Sequence, residues 1–536
     1  WTPKAFTLEP YITSLNLVCN YTSAKSAANS QQLPRLPVPK LDDTLRKFLK
    51  SVQPFLNDEE FVKTSGLIKQ FNSNMGELLV QHATKHQNWL EEWWINTAYL
   101  EYRDPVVVFS SPGLVYPIQK FRNESDQLEY AAKTLLAALE YKSMIDKDEI
   151  PVEMMGKNPL DMYLWGSDGK KLSQQQIIEA LKTIKKLSCN PNNEGVGILS
   201  SENRDTWAKA YELLSKEAVN RESLLDIERS LAVLCLDRAV GVHDARSEWQ
   251  RRTLAAAQTI HGGGAASNGA NRWFDKTIQF IVGEDGVTGL TYEHSPAEGQ
   301  PIAVMTDFII NSINKGSSSA ESSASPKNPI KLKFNISDEV SQMIEAAKTN
   351  LDKLHQTPGA HYESAATRMF AGGRTETIRS CSPESIEFAK AMLDTKADPK
   401  LKMQTMSKAI SAHKDYTVQA LQGLGVDRHL LGLKLIAKEN GIEVPELYSD
   451  AGYVRSAHMR ISTSQVACKS DGFMCYAPLV ADGYATCYNP RDLDINFATA
   501  AFRRHPDTGC EPYRRALEQS LQDMHDLLLL NTKSKL

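Results

Sequence analysis

One histidine stands where the local pattern of this sequence changes. In Thr288-Gly289-Leu290-Thr291-Tyr292-Glu293-His294-Ser295-Pro296-Ala297-Glu298-Gly299, a strand-like run ends at His294, Pro296 forces a turn, Gly299 frees it, and a helical run follows from Ile302. An imidazole on such a turn can face a cleft and serve as a general base, with Glu298 four residues on to orient its ring. The alternative is a histidine that merely caps the turn. Ser462-Thr463-Ser464-Gln465-Val466 gathers three hydroxyls that could donate to an oxyanion or hold a polar substrate, although an ordinary Ser/Thr turn reads the same way. Arg428 opens a helix whose apolar face is Leu430, Leu431, Leu433 and Leu435, and its plainer reading is a surface ion pair. Gly262-Gly263-Gly264 is no phosphate-binding loop, since no Lys-Ser/Thr follows. The eight cysteines show no CxxC spacing, which argues for reduced, buried thiols and against a metal or redox centre.

The elements that must position these groups spread over 536 residues, more than one core normally serves, so two lobes are expected. Hydrophobic residues at 41% and charged residues at 24% exclude a disordered chain. No apolar run reaches the roughly 20 residues of a membrane span, and a net charge of -4 lacks the basic footprint of a nucleic-acid binder. Strand-like runs at Val106–Phe109, Val196–Leu199, Phe473–Leu479, Gly483–Tyr488 and Ile495–Phe502 interleave with helical patterns, among them Gln127–Met144, Arg221–Asp237, Ser337–His355, Lys400–Leu421 and Cys510–Leu530, which predicts an α/β fold. Trp273–Val282 and Gly289–Glu293 read as a hairpin turning at Gly283-Glu284-Asp285-Gly286. The Ser-rich stretch from Gly316 to Pro329 is linker chemistry and places the lobe boundary near Phe334. The final Ser534-Lys535-Leu536 has the form of an address read by the peroxisomal import receptor, so a peroxisomal location, with a mitochondrial one also open, is expected.

Several segments together resemble the choline/carnitine acyltransferase family, and within it the branch that acetylates carnitine. They are Leu33-Pro34-Arg35-Leu36-Pro37-Val38-Pro39, Arg272-Trp273-Phe274-Asp275-Lys276, Tyr292 to Gly299, Arg374-Thr375-Glu376-Thr377-Ile378-Arg379, Asp427-Arg428-His429-Leu430-Leu431-Gly432-Leu433 and Ser462 to Val466. The resemblance implies two similar α/β lobes of the chloramphenicol acetyltransferase-like, coenzyme A-dependent type, with a tunnel between them. The implied layout is a flexible segment 1–32, a lobe 33–333 carrying the catalytic histidine, a lobe 334–530 with carnitine and coenzyme A contacts, and a tail 531–536. Residues 88–110 are expected to pack with the second lobe. His294 would be the base, steadied by Glu298, and Ser464 the oxyanion donor. Tyr362, Ser364, Thr375, Arg428, Ser462 and Tyr476 would hold carnitine, Lys414 and Gln465 would contact coenzyme A, and Met474 would close the acyl pocket to long chains. Carnitine and acetyl-coenzyme A enter as substrates, with no permanently bound cofactor or metal, and the chain is expected to be a monomer. Arg428 favours carnitine over choline, because a choline would leave the buried cation unpaired.

The resemblance breaks twice. Between Tyr163 and Trp165 several tens of residues normally including a core strand are missing, and between His355 and Tyr362 a strand, a helix and the loop bearing the coenzyme A-gripping lysines are missing. The alternatives are therefore a choline acetyltransferase-like enzyme, or a non-catalytic relative lacking part of the coenzyme A site.

Overall fold

The computed structural model describes residues 5–7, 33–71, 73–101, 111–146, 172–188, 195–296, 298–315, 329–352, 361–466, 468–491, 494–502 and 508–533. The expected strand at Val106–Phe109, most of the Ser-rich stretch, the carboxy-terminal tripeptide and both breaks in the resemblance lie outside these residues. The described strands are β1 (Ala5–Thr7), β2 (Gly113–Val115), β3 (Val233–Asp237), β4 (Ile278–Gly283), β5 (Thr288–Tyr292), β6 (His361–Ala366), β7 (Thr375–Ile378), β8 (Ile461–Gln465), β9 (Phe473–Cys475), β10 (Tyr484–Pro490) and β11 (Ile495–Ala501). They form two mixed sheets, ordered β1-β3-β4-β5-β2-β9 and β11-β10-β8-β6-β7. The fold is therefore mixed α/β. Among the described residues no helix is long and apolar enough to cross a membrane.

Alternation along β3 explains how the first sheet is covered. Leu234 and Leu236 enter a core with Leu128 and Leu135 of the helix Glu124–Asp146 and Ile302 and Ile309 of the helix Gly299–Lys315. Val233 and Cys235 enter the opposite core with Ile198, Trp207, Val340 and Ile344. Because both faces are buried, Val233-Leu-Cys-Leu-Asp237 shows no polar alternation, so the pattern could not be told from helix. The expected helix Arg221–Asp237 accordingly ends at Arg229, and β3 follows. Val196–Leu199 is likewise no strand but part of a 3-10 turn, Val196–Ser201. There a Cβ on Gly197 would meet the Arg272 carbonyl oxygen at 2.3 Å, so the turn depends on glycine. The hairpin β4–β5 forms at the expected turn, with Gly286 at φ +84 closing it, but its first strand begins at Ile278 rather than Trp273.

The lobe boundary near 334 does not separate the packing units. Leu332, Phe334 and Ile336 lean on the core of the first sheet, and the helix Asp338–Asp352 buries Val340, Ile344, Ala347 and Leu351 there. Conversely, Leu36, Leu45, Phe48, Met75, Leu79, Trp89 and Leu90 share a core with Phe370, Leu430, Leu433 and Ile436, so the amino-terminal helices pack with the second sheet's helices. Gly432 permits this, because a Cβ there would lie 2.5 Å from the Trp89 ring.

The Arg272 segment is structural. Arg272 is fully buried and grips Asp237 at the end of β3 through two hydrogen bonds of 2.8 Å, and it also donates to the carbonyls of Gln258 and Asn271. Lys276 Nζ donates to the carbonyls of Ile227 and Glu228, closing the end of the helix Ala218–Arg229. Removing one partner of such a pair strands the other charge in the core. Arg272→Met is therefore expected to destabilise by about 3–5 kcal/mol, read as a lower denaturation midpoint. The double variant with Asp237→Leu is expected to recover part of that loss, and an unchanged midpoint in the single variant would refute the assignment.

Candidate active site

β5 ends at Tyr292, and the turn that follows is tied down at several points. Glu293 accepts hydrogen bonds from Ser295 N and Ser295 Oγ. Arg204 pairs with Glu293 at 3.5 Å and donates to the Tyr99 carbonyl at 3.2 Å, so one guanidinium fixes both the turn and the segment facing it. His294 emerges partly covered, its side chain 23% exposed. It lies in a cavity of about 260 Å³ whose walls come from both sheets. Tyr292, His294, Glu298 and Gly299 line one side, and Ser364, Thr375, Ser462, Ser464 and Gln465 line the other. Tyr476 and Met474, on and just after β9, close the space between them.

The imidazole is held at Nδ1. Tyr99 Oη lies 3.2 Å from it, and the two rings stack with centroids 5.4 Å apart. Arg374 Nη2 donates to Tyr99 Oη at 3.2 Å and to the His294 carbonyl at 2.8 Å. Glu298 is committed to Arg374 through Nε, and its second oxygen stands 3.9 Å from His294 Nε2. Glu298 thus acts on the ring chiefly through Arg374 and through its charge, a more indirect hold than the four-residue spacing suggests. Burial works against the Arg374 charge, but Glu298 and Tyr99 outweigh it and hold the guanidinium protonated more firmly than usual.

The hydroxyl cluster is a strand. Alternation on β8 puts Ser462 and Ser464 on one face and Thr463 on the other. β6 runs parallel beside it, with Tyr362 opposite Ser462, which brings Ser364 Oγ to 3.2 Å from Ser464 Oγ. Tyr476 Oη donates to the Ser462 carbonyl at 3.0 Å and accepts from Ser462 Oγ at 3.4 Å. Ser364, Ser462 and Ser464 thus line the same cavity as His294.

Arg428 stands behind the lining. Its guanidinium lies 3.5 Å from the Trp94 ring centroid, and it donates to the Thr375 carbonyl, Thr375 Oγ1 and Thr377 Oγ1. It is buried, and among the described residues no carboxylate pairs with it within 4.0 Å. Glu376 is near, accepting from Arg428 N at 3.3 Å, but burial pushes its carboxyl up to about 7 against the pull of Arg428. A buried guanidinium with only neutral acceptors favours an incoming anion. Its flanking residues are structural: Asp427 pairs with Arg379 at 2.9 and 2.8 Å, and His429, held neutral by burial at about 4, meets Thr44 Oγ1 at 2.7 Å.

Of the residues expected at the site, His294, Glu298, Ser364, Thr375, Ser462, Ser464, Gln465, Met474 and Tyr476 line the one cavity, while Arg428 lies one layer back. Tyr362 is placed by its backbone on β6. Lys414 is exposed on the helix Pro399–Leu421 and does not reach the cavity. Trp94, Tyr99, Tyr292 and Arg374 were not expected in these roles. Trp94 and Tyr99 read as core aromatics, and no local spacing links Tyr99 to a histidine 195 positions away. Arg374 could have been suspected, since it precedes Thr375. Among the described residues no group of three or more His, Cys, Asp or Glu is arranged to hold a metal ion.

Known proteins resemble the chain over most of its length. A family model described as choline/carnitine O-acyltransferase matches residues 36–167, 161–357 and 352–519. The chain is 37% identical to human carnitine O-acetyltransferase over 609 aligned positions, covering 96% of both chains, and 39% identical to the pigeon (Columba livia) protein of that name, covering 95% of both. It is 31% identical to human choline O-acetyltransferase, covering 96% of this chain and 82% of the relative. The 609 aligned positions exceed the 536 residues of this chain, so the human relative carries residues that this chain lacks. The joints of the family match, at 161–167 and 352–357, fall at the two breaks seen in the sequence.

Proposed function

The chain belongs to the choline/carnitine O-acyltransferase family and is an acyltransferase, and on that premise we propose that it moves acetyl and other short acyl groups reversibly between coenzyme A and the hydroxyl of carnitine. The observation that carries this reading is a single cavity holding His294 and Ser464, with a buried and unpaired Arg428 directly behind its Thr375 wall. Carnitine brings a carboxylate for that guanidinium, and choline brings none.

In this reading His294 Nε2 takes the proton from the carnitine hydroxyl as its oxygen attacks the thioester carbonyl. The new C–O bond forms, the C–S bond breaks, and the proton passes to the departing sulfur. That step needs a free lone pair on Nε2, so Nδ1 must carry the proton and donate it to Tyr99 Oη rather than accept from Arg374 Nη2, which stands 3.4 Å from the same nitrogen. Glu298, 3.9 Å from Nε2, favours the imidazolium that forms. Ser464 Oγ donates to the oxyanion, an interaction worth roughly 3–4 kcal/mol in comparable sites. Met474 closes the acyl side of the cavity and supports short chains.

The substrate choice is tested by incubating the chain with acetyl-coenzyme A and equal amounts of L-carnitine and choline, then weighing the products by mass spectrometry. O-acetylcarnitine in large excess is expected, and a predominance of acetylcholine would overturn the choice. A second reading is favoured by the joints of the family match, which fall at the two breaks in the resemblance. It holds that the chain retains the carnitine site but binds coenzyme A too weakly for turnover. Calorimetric titration with acetyl-coenzyme A separates the two, since saturable binding at micromolar concentration removes the second.

Glu376 adds a pH dependence. Its value is raised, so the folded state prefers the protonated form. Its contribution to stability is complete below about 4.5 and is lost as pH rises through about 7. Above that point its carboxylate competes with carnitine for Arg428. The KM for carnitine is expected to rise with pH through about 7, and Glu376→Gln to flatten the rise. A KM that does not change across this range in the unaltered chain would contradict the role given to Glu376.

A further inference from the structure

The Tyr292 hydroxyl has no task in the reaction described above. Tyr292 is 1% exposed, and its Oη is buried without a hydrogen-bond partner among the described residues. An unpaired hydroxyl in a core is costly, and most buried hydroxyls find a partner. This one does not sit in solid interior, because Tyr292 lines the reaction cavity together with Gly299, Val466 and Met474. Tyr292, Val466 and Met474 also belong to the core cluster of the first sheet, so they form the inner end of that cavity, where an acyl tail would point. A Cβ on Gly299 would stand 3.3 Å from Tyr292 Oη and 3.1 Å from Met474 Sδ, so the hydroxyl and the thioether converge on the same spot. Glycine at that position leaves the end of the Met474 thioether, a flexible group, as the neighbour that a tail would displace to reach the hydroxyl.

We propose that Tyr292 Oη is a donor at the inner end of the acyl pocket, and that it selects short acyl groups whose tail carries an oxygen acceptor, the 3-oxoacyl groups, over aliphatic groups of equal length. This deepens the proposed acyl transfer and rests on it. The same bonds form and break, and the tail takes no part in them. An aliphatic tail that reaches the hydroxyl leaves it unpaired and shut off from water, whereas a tail carbonyl accepts its hydrogen bond. An acetyl group is too short to reach it, and the hydroxyl then stays buried without a partner.

The test compares kcat/KM for 3-oxobutyryl-coenzyme A and butyryl-coenzyme A, each with L-carnitine, in the full chain and in Tyr292→Phe. The ratio of the two is expected to fall about tenfold in the variant, with the melting midpoint unchanged or raised because the lost oxygen made no hydrogen bond. Transfer at an unchanged ratio overturns this inference alone. A midpoint several degrees lower also overturns it, by showing that the hydroxyl is engaged in the core. If the unaltered chain transfers no acetyl group at all, the acyl-transfer reading falls with it.

Discussion

His294→Ala is expected to lower kcat for acyl transfer by about 10²–10⁴-fold while leaving the carnitine dissociation constant nearly unchanged. The split follows from where the contacts lie. In the proposed reaction the imidazole takes the proton of the reacting hydroxyl, whereas the carboxylate is assigned to Arg428 behind Thr375. The ring makes no contact that the fold depends on. Its Nδ1 meets Tyr99 Oη, which keeps Arg374 as a partner when the ring is gone. A loss of kcat with an intact carnitine site is what removal of a base looks like, and steady-state kinetics with calorimetric titration of carnitine would check both halves. A loss of carnitine binding as large as the loss of kcat would mean that His294 positions the substrate rather than moving its proton.

Arg428→Leu is the second large effect. Removing one side of a buried charge pair costs about 2–5 kcal/mol, so kcat/KM for carnitine is expected to fall on the order of 10²–10³-fold. Activity with choline, which lacks the carboxylate, is expected to change far less, which makes the ratio of the two substrates the informative readout. The fold should tolerate the change, because Arg428 donates to uncharged oxygens of Thr375, which lines the cavity, and of Thr377. Glu376, already pushed up by burial, loses its nearest cation and becomes still easier to keep neutral. Equal losses with both substrates would place Arg428 among the structural residues, beside Arg379 and Asp427.

Local chemistry was legible wherever a residue's role depends on its neighbours in sequence. The turn around His294, the β4–β5 hairpin and the helix opening at Asp427 follow from proline, glycine and apolar spacing, and they form much where those residues place them. Roles that arise from packing across the chain were not legible. β3 carries no alternation because both its faces are buried, so it read as the end of a helix. The composition of 316–329 reads as a linker between lobes, yet the apolar residues after it return to the first core, and the amino-terminal helices cross to the second. Tyr99 and Trp94 read as ordinary core aromatics until the fold set one against His294 and the other against Arg428. The Ser462–Gln465 run illustrates both cases. The hydroxyls were visible, but only pairing with β6 and β10 makes the run a strand and separates Ser462 and Ser464 from Thr463.

The decisive measurement is thiol release from acetyl-coenzyme A by the full chain, with and without L-carnitine, beside the His294→Ala variant. Release that requires carnitine and nearly vanishes in the variant is the predicted result. Release that is independent of carnitine, or equal in the two proteins, would contradict the assignment of His294 as the base between carnitine oxygen and coenzyme A sulfur.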